Sequence, residues 1–145
     1  MNHADLAEKL FREGYNCSQA VLLAFSDVTG LDDDTAAKIA SSFGGGLGRM
    51  REVCGAVSGA AMVLGLAKGY SDPKDFEAKK AHYKLIQDFA KRFKEKNGSI
   101  ICRDLLSGVR TVENGAPEAR TDGYYKKRPC PLLVRDAAQL LEEFL

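Results

Sequence analysis

Four cysteines, Cys17, Cys54, Cys102 and Cys130, are the main chemical asset of this sequence. No two of them form a C-x-x-C pair, so the fold must bring them together if they act jointly. Each falls at or near the expected start of a helix: Cys17 after Asn16, Cys54 after Glu52-Val53, Cys102 after Ser99, Cys130 before Pro131. The free N–H groups and positive dipole end of a helix stabilise a thiolate. Metal ligation and nucleophilic attack on sulfur both use a thiolate. Arg49, Arg51, Arg103 and Arg128 lie near Cys54, Cys102 and Cys130 in sequence, and they add to the effect wherever they point inward. Taken singly, each cysteine reads as a small buried hydrophobe. Four placements of one kind are harder to explain that way.

The elements that must position these thiols read as helices. Phe43 to Gly69 is the organising stretch, a glycine-rich loop followed by an apolar, small-residue run from Val53 to Ala67. The run lacks the β-branched and aromatic residues of a strand. Each Gly inside a helix costs roughly 1 kcal/mol relative to Ala, so Gly55, Gly59 and Gly65 need a reason. Close packing along Gly55, Ala56, Gly59 and Ala60 supplies one, and the run is expected to be a buried central helix. Ala4 to Arg12 forms an amphipathic helix on Leu6, Ala7, Leu10 and Phe11, stopped by Gly14. Asn16 caps a second helix that ends before Gly30. Leu31-Asp32-Asp33-Asp34-Thr35 opens a third, its acids suiting the dipole rather than a calcium loop. Asp72-Pro73 opens a long helix running to about Lys96, and its lysines form a solvated face. Ser99 caps a short helix with Cys102, Leu105 and Leu106. A polar stretch from Ser107 to Pro129, with turn signals at Asn114-Gly115 and Asp122-Gly123, is expected to be disordered or a flap. The last helix starts near Cys130-Pro131. The expectation is an all-α single domain over residues 1–145, a bundle of six or seven helices around the small-residue helix.

Several of these segments resemble one family. They are Asn16-Cys17-Ser18-Gln19-Ala20-Val21, Gly44-Gly45-Gly46, Cys54-Gly55-Ala56-Val57-Ser58-Gly59-Ala60, Cys102-Arg103-Asp104-Leu105-Leu106, and Cys130 before a closing helix. Together they resemble the redox-associated family named C_GCAxxG_C_C, over nearly the whole chain. The resemblance implies a redox role for the cysteines and names no substrate. Two chemistries serve such a role. Four thiolates satisfy an iron–sulfur cluster or one tetrahedral zinc, and the redox resemblance favours the cluster, serving electron transfer. Alternatively the protein holds no metal, Cys54 attacks as a thiolate, and one of Cys17, Cys102 or Cys130 resolves. The metal centre is placed ahead of dithiol chemistry, and both make the chain an oxidoreductase or electron-transfer protein with an unidentified redox partner. A third, non-catalytic reading has the small-residue helix pack on its own copy in a homodimer.

Other classes find less support. Gly44, Gly45, Gly46 and Gly55 are candidate cofactor-binding positions, because glycines before a helix can cradle phosphate. No P-loop or G-x-G-x-x-G accompanies them, so tight turning is the favoured use. The net charge of +1 gives no reason to expect nucleic acid, and Lys126-Lys127-Arg128 with Tyr124-Tyr125 is one short patch. The run Val53 to Ala67 falls short of the roughly 20 apolar residues that span a bilayer, so no membrane role is expected. No signal-type apolar run stands near the start, which points to the cytoplasm and to reduced thiols. The two histidines, His3 and His82, are not expected to serve the site.

Overall fold

A computed structural model describes residues 1–109 and 115–145, apart from the side chain of Lys127. Among the described residues there are nine α-helices, one 3-10 turn and no strand. The all-α expectation therefore holds, with more helices than six or seven because three are one or two turns long. The chain runs α1 (His3–Arg12), α2 (Cys17–Ala24), α3 (Ser26–Thr29) and α4 (Asp33–Ala40). A 3-10 turn (Ser41–Phe43) and a wound loop lead to α5 (Gly55–Lys68), then α6 (Phe76–Asn97) and α7 (Cys102–Leu105). The chain closes with α8 (Asp122–Lys127) and α9 (Cys130–Phe144). No helix among the described residues is long and apolar enough to cross a membrane.

Two helices share the centre. Six of the eight residues of α2 are buried, and α5 buries seven residues against it. The glycines make this approach possible. A Cβ at Gly59 would lie 2.7 Å from the Ser18 carbonyl oxygen, and one at Gly55 would lie 3.1 Å from Cys17 Cβ. The small-residue face of α5 is thus covered by α2 of the same chain. Helix α1 packs on α9 and α2, and α6 lies across α5 and α9. Phe11, Phe25, Phe89, Phe93 and Leu141 are fully buried between these layers.

Gly65 differs from its neighbours. A Cβ there would meet nothing within 4 Å. Gly65→Ala should therefore stabilise the protein by about 0.5–1 kcal/mol, the helix-propensity difference. Gly59→Ala should destabilise it by about 2 kcal/mol, because a backbone oxygen cannot move aside cheaply. Urea denaturation of the two variants checks both signs.

Several boundaries differ from the sequence reading. The long helix opens at Phe76, where the Asp75 side chain accepts a hydrogen bond from the Ala78 N–H; Asp72 and Pro73 belong to the preceding turn. Ser99 Oγ accepts from the Ile101 N–H and donates to Asp104 Oδ2, so it braces the turn before α7 rather than capping the helix. Asp122-Gly123 begins α8 instead of a turn, with Thr121 capping it through the Tyr124 N–H. Asn114, half of the expected Asn114-Gly115 turn, lies outside the described residues.

Candidate functional site, a four-cysteine pocket

Cys17, Cys102 and Cys130 are the first residues of α2, α7 and α9, and Cys54 is the N-cap of α5. Local chemistry fixes the first of these starts. The Asn16 side chain accepts from the Gln19 N–H, and the Gln19 side chain accepts from the Asn16 N–H, a reciprocal cap. At Cys130, Pro131 occupies an early helical position where a missing N–H costs nothing.

A backbone clamp joins the two middle cysteines. Val53 and Ile101 form an isolated antiparallel bridge. The Cys54 N–H donates to the Ile100 carbonyl at 2.7 Å, and the Cys102 N–H donates to the Glu52 carbonyl at 2.6 Å. Gly46 lets the loop close on this clamp, for a Cβ there would lie 2.8 Å from Cys102 Cβ. Gly44 is equally confined, its Cβ position lying 2.5 Å from Asn16 Cγ. Gly45 is confined too, its Cβ position lying 2.7 Å from Arg49 Cγ, so close packing accounts for Gly44, Gly45, Gly46 and Gly55, all of which also border the cavities described below.

All four cysteines line one small cavity of about 60 Å³ at the meeting point of α2, α5, α7 and α9. All four are free thiols; Cys54, Cys102 and Cys130 are buried and Cys17 is half-buried. Arg51, Arg120, Arg128 and Tyr124 complete the wall on one side. Arg51 and Arg128 are only 8% and 7% exposed, which is rare for a charged side chain. Arg51 Nη1 donates to Cys102 Sγ at 3.7 Å. Arg128 Nη2 pairs with Glu118 Oε1 at 2.6 Å, and its guanidinium lies 4.6 Å from the centre of the Tyr124 ring. Arg120 is held by the Phe11 and Tyr15 carbonyls at 2.6 and 3.0 Å.

Backbone strain accompanies this arrangement. Leu47, Arg49 and Arg51 have φ of 70°, 64° and 62°, a left-handed conformation that costs non-glycine residues on the order of 1–2 kcal/mol each. The Arg51 N–H donates to the Gly45 carbonyl at 3.1 Å and the Arg51 carbonyl accepts from Arg103 N–H at 3.2 Å, so the strained residue is pinned on both sides. Strain of this kind clusters at functional sites. Here it carries the Arg51 guanidinium to the cysteines.

The four thiols are electrostatically unlike. Interaction with the Cys130 sulfur holds the Cys17 proton well above the ordinary thiol range, and burial adds to the effect. Cys130 gains by the same interaction. The neighbouring Cys17 thiol, followed by the Arg128, Arg120 and Arg51 charges, pulls it below the ordinary range against the opposing effect of burial. Burial pushes Cys54 up to about 12, outweighing the N–H groups of Ala56 and Val57. Cys102 is also raised by burial, although Arg51 opposes the shift. The sequence expectation makes Cys54 the attacking thiolate, whereas its surroundings disfavour the charged form. Desolvation defeats the helix terminus at Cys54, whereas at Cys130 a neighbouring thiol and three cations defeat desolvation.

Of the arginines near the cysteines in sequence, Arg51 and Arg128 point inward. Arg103 faces out toward Glu52 and the Met50 carbonyl. Arg120 and Tyr124 carry no local sequence signal for the site, because they reach it from a segment with little helical periodicity. His3 lies elsewhere, bonded to Asp27 and Glu142. The cysteines share one cavity, yet among the described residues no three His, Cys, Asp or Glu side chains form a group that could hold a metal ion.

An all-α bundle with four free thiols and buried arginines on one cavity defines a class of thiol-bearing helical protein. The family model described as "Putative redox-active protein (C_GCAxxG_C_C)" matches residues 15–144, and the chain belongs to that family. No curated protein and no solved structure matches the chain.

Proposed function

We propose that the protein is a dithiol–disulfide redox protein in which Cys130 is the attacking thiolate and Cys17 the resolving thiol. The observation that carries this reading is that Cys17 and Cys130 line one small cavity together with Arg51, Arg120 and Arg128, with Cys17 the largest influence drawing the Cys130 thiol down. A good attacking sulfur must be ionised near neutral pH, and its resolving partner must be within reach. Cys130 attacks one sulfur of a substrate disulfide; a mixed disulfide forms and the first substrate thiolate leaves. Cys17 then loses its proton to that leaving thiolate and attacks Cys130 in the mixed disulfide. A Cys17–Cys130 disulfide forms and the second substrate thiolate departs, taking its proton from water. Two electrons pass from the protein to the substrate disulfide, and the reverse sequence reduces the protein again. The redox partner for that return is unidentified.

A second reading, an iron–sulfur or zinc centre on the same four thiols, is favoured by their sharing one cavity. Cys17, Cys54, Cys102 and Cys130 would be its ligands, and the cationic wall would offset the charge of four thiolates. The donors as they stand do not form a metal-holding group, so the dithiol reading is preferred.

Anaerobic purification followed by iron, sulfide and zinc analysis, with a free-thiol count on the same sample, separates the two. The dithiol reading predicts no stoichiometric metal, four thiols when reduced, and the reversible loss of two on mild oxidation. Stoichiometric metal that disappears when any one cysteine becomes Ser overturns it in favour of the centre.

A further inference from the structure

A second cavity, of about 300 Å³, adjoins the cysteine cavity and shares Asn16, Gly45, Arg51, Arg120, Tyr124 and Arg128 with it. Its size is at the lower end for a small-molecule site. Its charge is one-sided. Among the described residues that line it, Arg49, Arg51, Arg120 and Arg128 are cationic and only Glu118 is acidic. Glu118 Oε1 bridges Arg49 and Arg128 at 3.1 and 2.6 Å, and Arg120 is committed to two backbone carbonyls.

Arg51 is different. Its Nε and Nη2 are buried and have no hydrogen-bond partner among the described residues. A buried guanidinium with two unpaired donors carries a desolvation cost that a bound anion would offset. The guanidinium fork matches a carboxylate or other oxyanion. Arg51 also borders both cavities, so an anion held in the larger one sits beside the thiols in the smaller.

We propose that the larger cavity binds the oxyanion of a small substrate, and that Arg51 is its principal anchor. The proposal rests on the dithiol reading. The substrate disulfide is then of low molecular weight and carries a carboxylate or similar oxyanion, which Arg51 holds while a sulfur is presented to Cys130. The redox step is unchanged: the substrate disulfide takes two electrons from the cysteine pair, one proton from Cys17 and one from water, and leaves as two thiols. Arg51 acts here as a binding and positioning residue.

Two alkylating reagents of nearly equal size test the idea. Iodoacetate is anionic and iodoacetamide is neutral, and both transfer a two-carbon group to a thiolate with loss of iodide. Their rates at Cys130 of the full reduced chain are measured at fixed pH and ionic strength, with a simple small thiol as reference. The expected ratio of iodoacetate to iodoacetamide rate is at least tenfold above that of the reference thiol. Inorganic sulfate should compete with iodoacetate at concentrations where equal ionic strength of chloride does not. Arg51→Gln should return the ratio to the reference value. If that variant fails to fold, sulfate competition in the unaltered protein decides. A ratio equal to the reference, with no effect of sulfate, overturns the anion site while fast iodoacetamide labelling leaves the dithiol reading standing. Failure of both reagents to label Cys130 overturns the dithiol reading and this proposal with it.

Discussion

Cys130→Ser is expected to remove the fast phase of thiol alkylation at pH 7 and lower the initial rate by at least about tenfold, because an ordinary thiol is only a few per cent ionised there. The reasoning is site-specific. Cys17, Cys54 and Cys102 all hold their protons above the ordinary range, and only Cys130 is drawn below it. Reduced protein should therefore consume one equivalent of iodoacetamide quickly and the rest slowly. The Cys17 thiol is the largest cause of the shift at Cys130, so Cys17→Ala should keep the fast thiol but move its pH midpoint upward. Stopped reactions followed by mass spectrometry of the labelled peptide give both results. Four thiols of equal and slow reactivity would contradict the assignment.

Cys54 dominates a different pH range. Its pKa is raised from 9.0 to about 12 by burial. A group whose folded pKa is raised stabilises the fold fully below its unfolded pKa and loses that contribution as pH rises through the folded value. The loss should therefore run from about pH 9 to about pH 12. It amounts to on the order of 4 kcal/mol across that window. At pH 8 Cys54→Ala costs packing and is less stable than the parent. As pH rises, the parent should lose stability faster than the variant, so the gap narrows and then reverses. Tyrosine and lysine ionisation is common to both proteins and cancels in the comparison. Denaturant midpoints at pH 8, 9.5 and 10.5 give the trend; parallel curves would show that Cys54 does not titrate with unfolding.

Most of the helices and the four cysteine positions are legible in the sequence, for identifiable reasons. Asn16 with Gln19 three residues later is a capping signal, and it places Cys17 at the first turn of α2. Pro131 marks the start of α9 in the same way. The small residues of the central run announce close packing, and α2 is what packs there. What the sequence hides is long-range. The Val53–Ile101 bridge that holds Cys54 beside Cys102 is a single pair with no alternating pattern around it. Helix α8 contains Gly123 and reads as a turn, but Tyr125 packs edge-on against Phe11 and donates to the Arg12 carbonyl, and these contacts override local preference. The identity of the low-pKa thiol is hidden too. Every cysteine stands at a helix start, so the helix dipole does not distinguish them. The distinction comes from Cys17 meeting Cys130, and from Arg120 and Arg128 reaching the pocket through a segment that carries no regular pattern.

The direct measurement is a disulfide map of the protein after one equivalent of a mild oxidant, by peptide mass spectrometry without reduction. The account predicts one intramolecular disulfide joining Cys17 to Cys130, with Cys54 and Cys102 still free. Four free thiols, or a disulfide that leaves out Cys130, would contradict it.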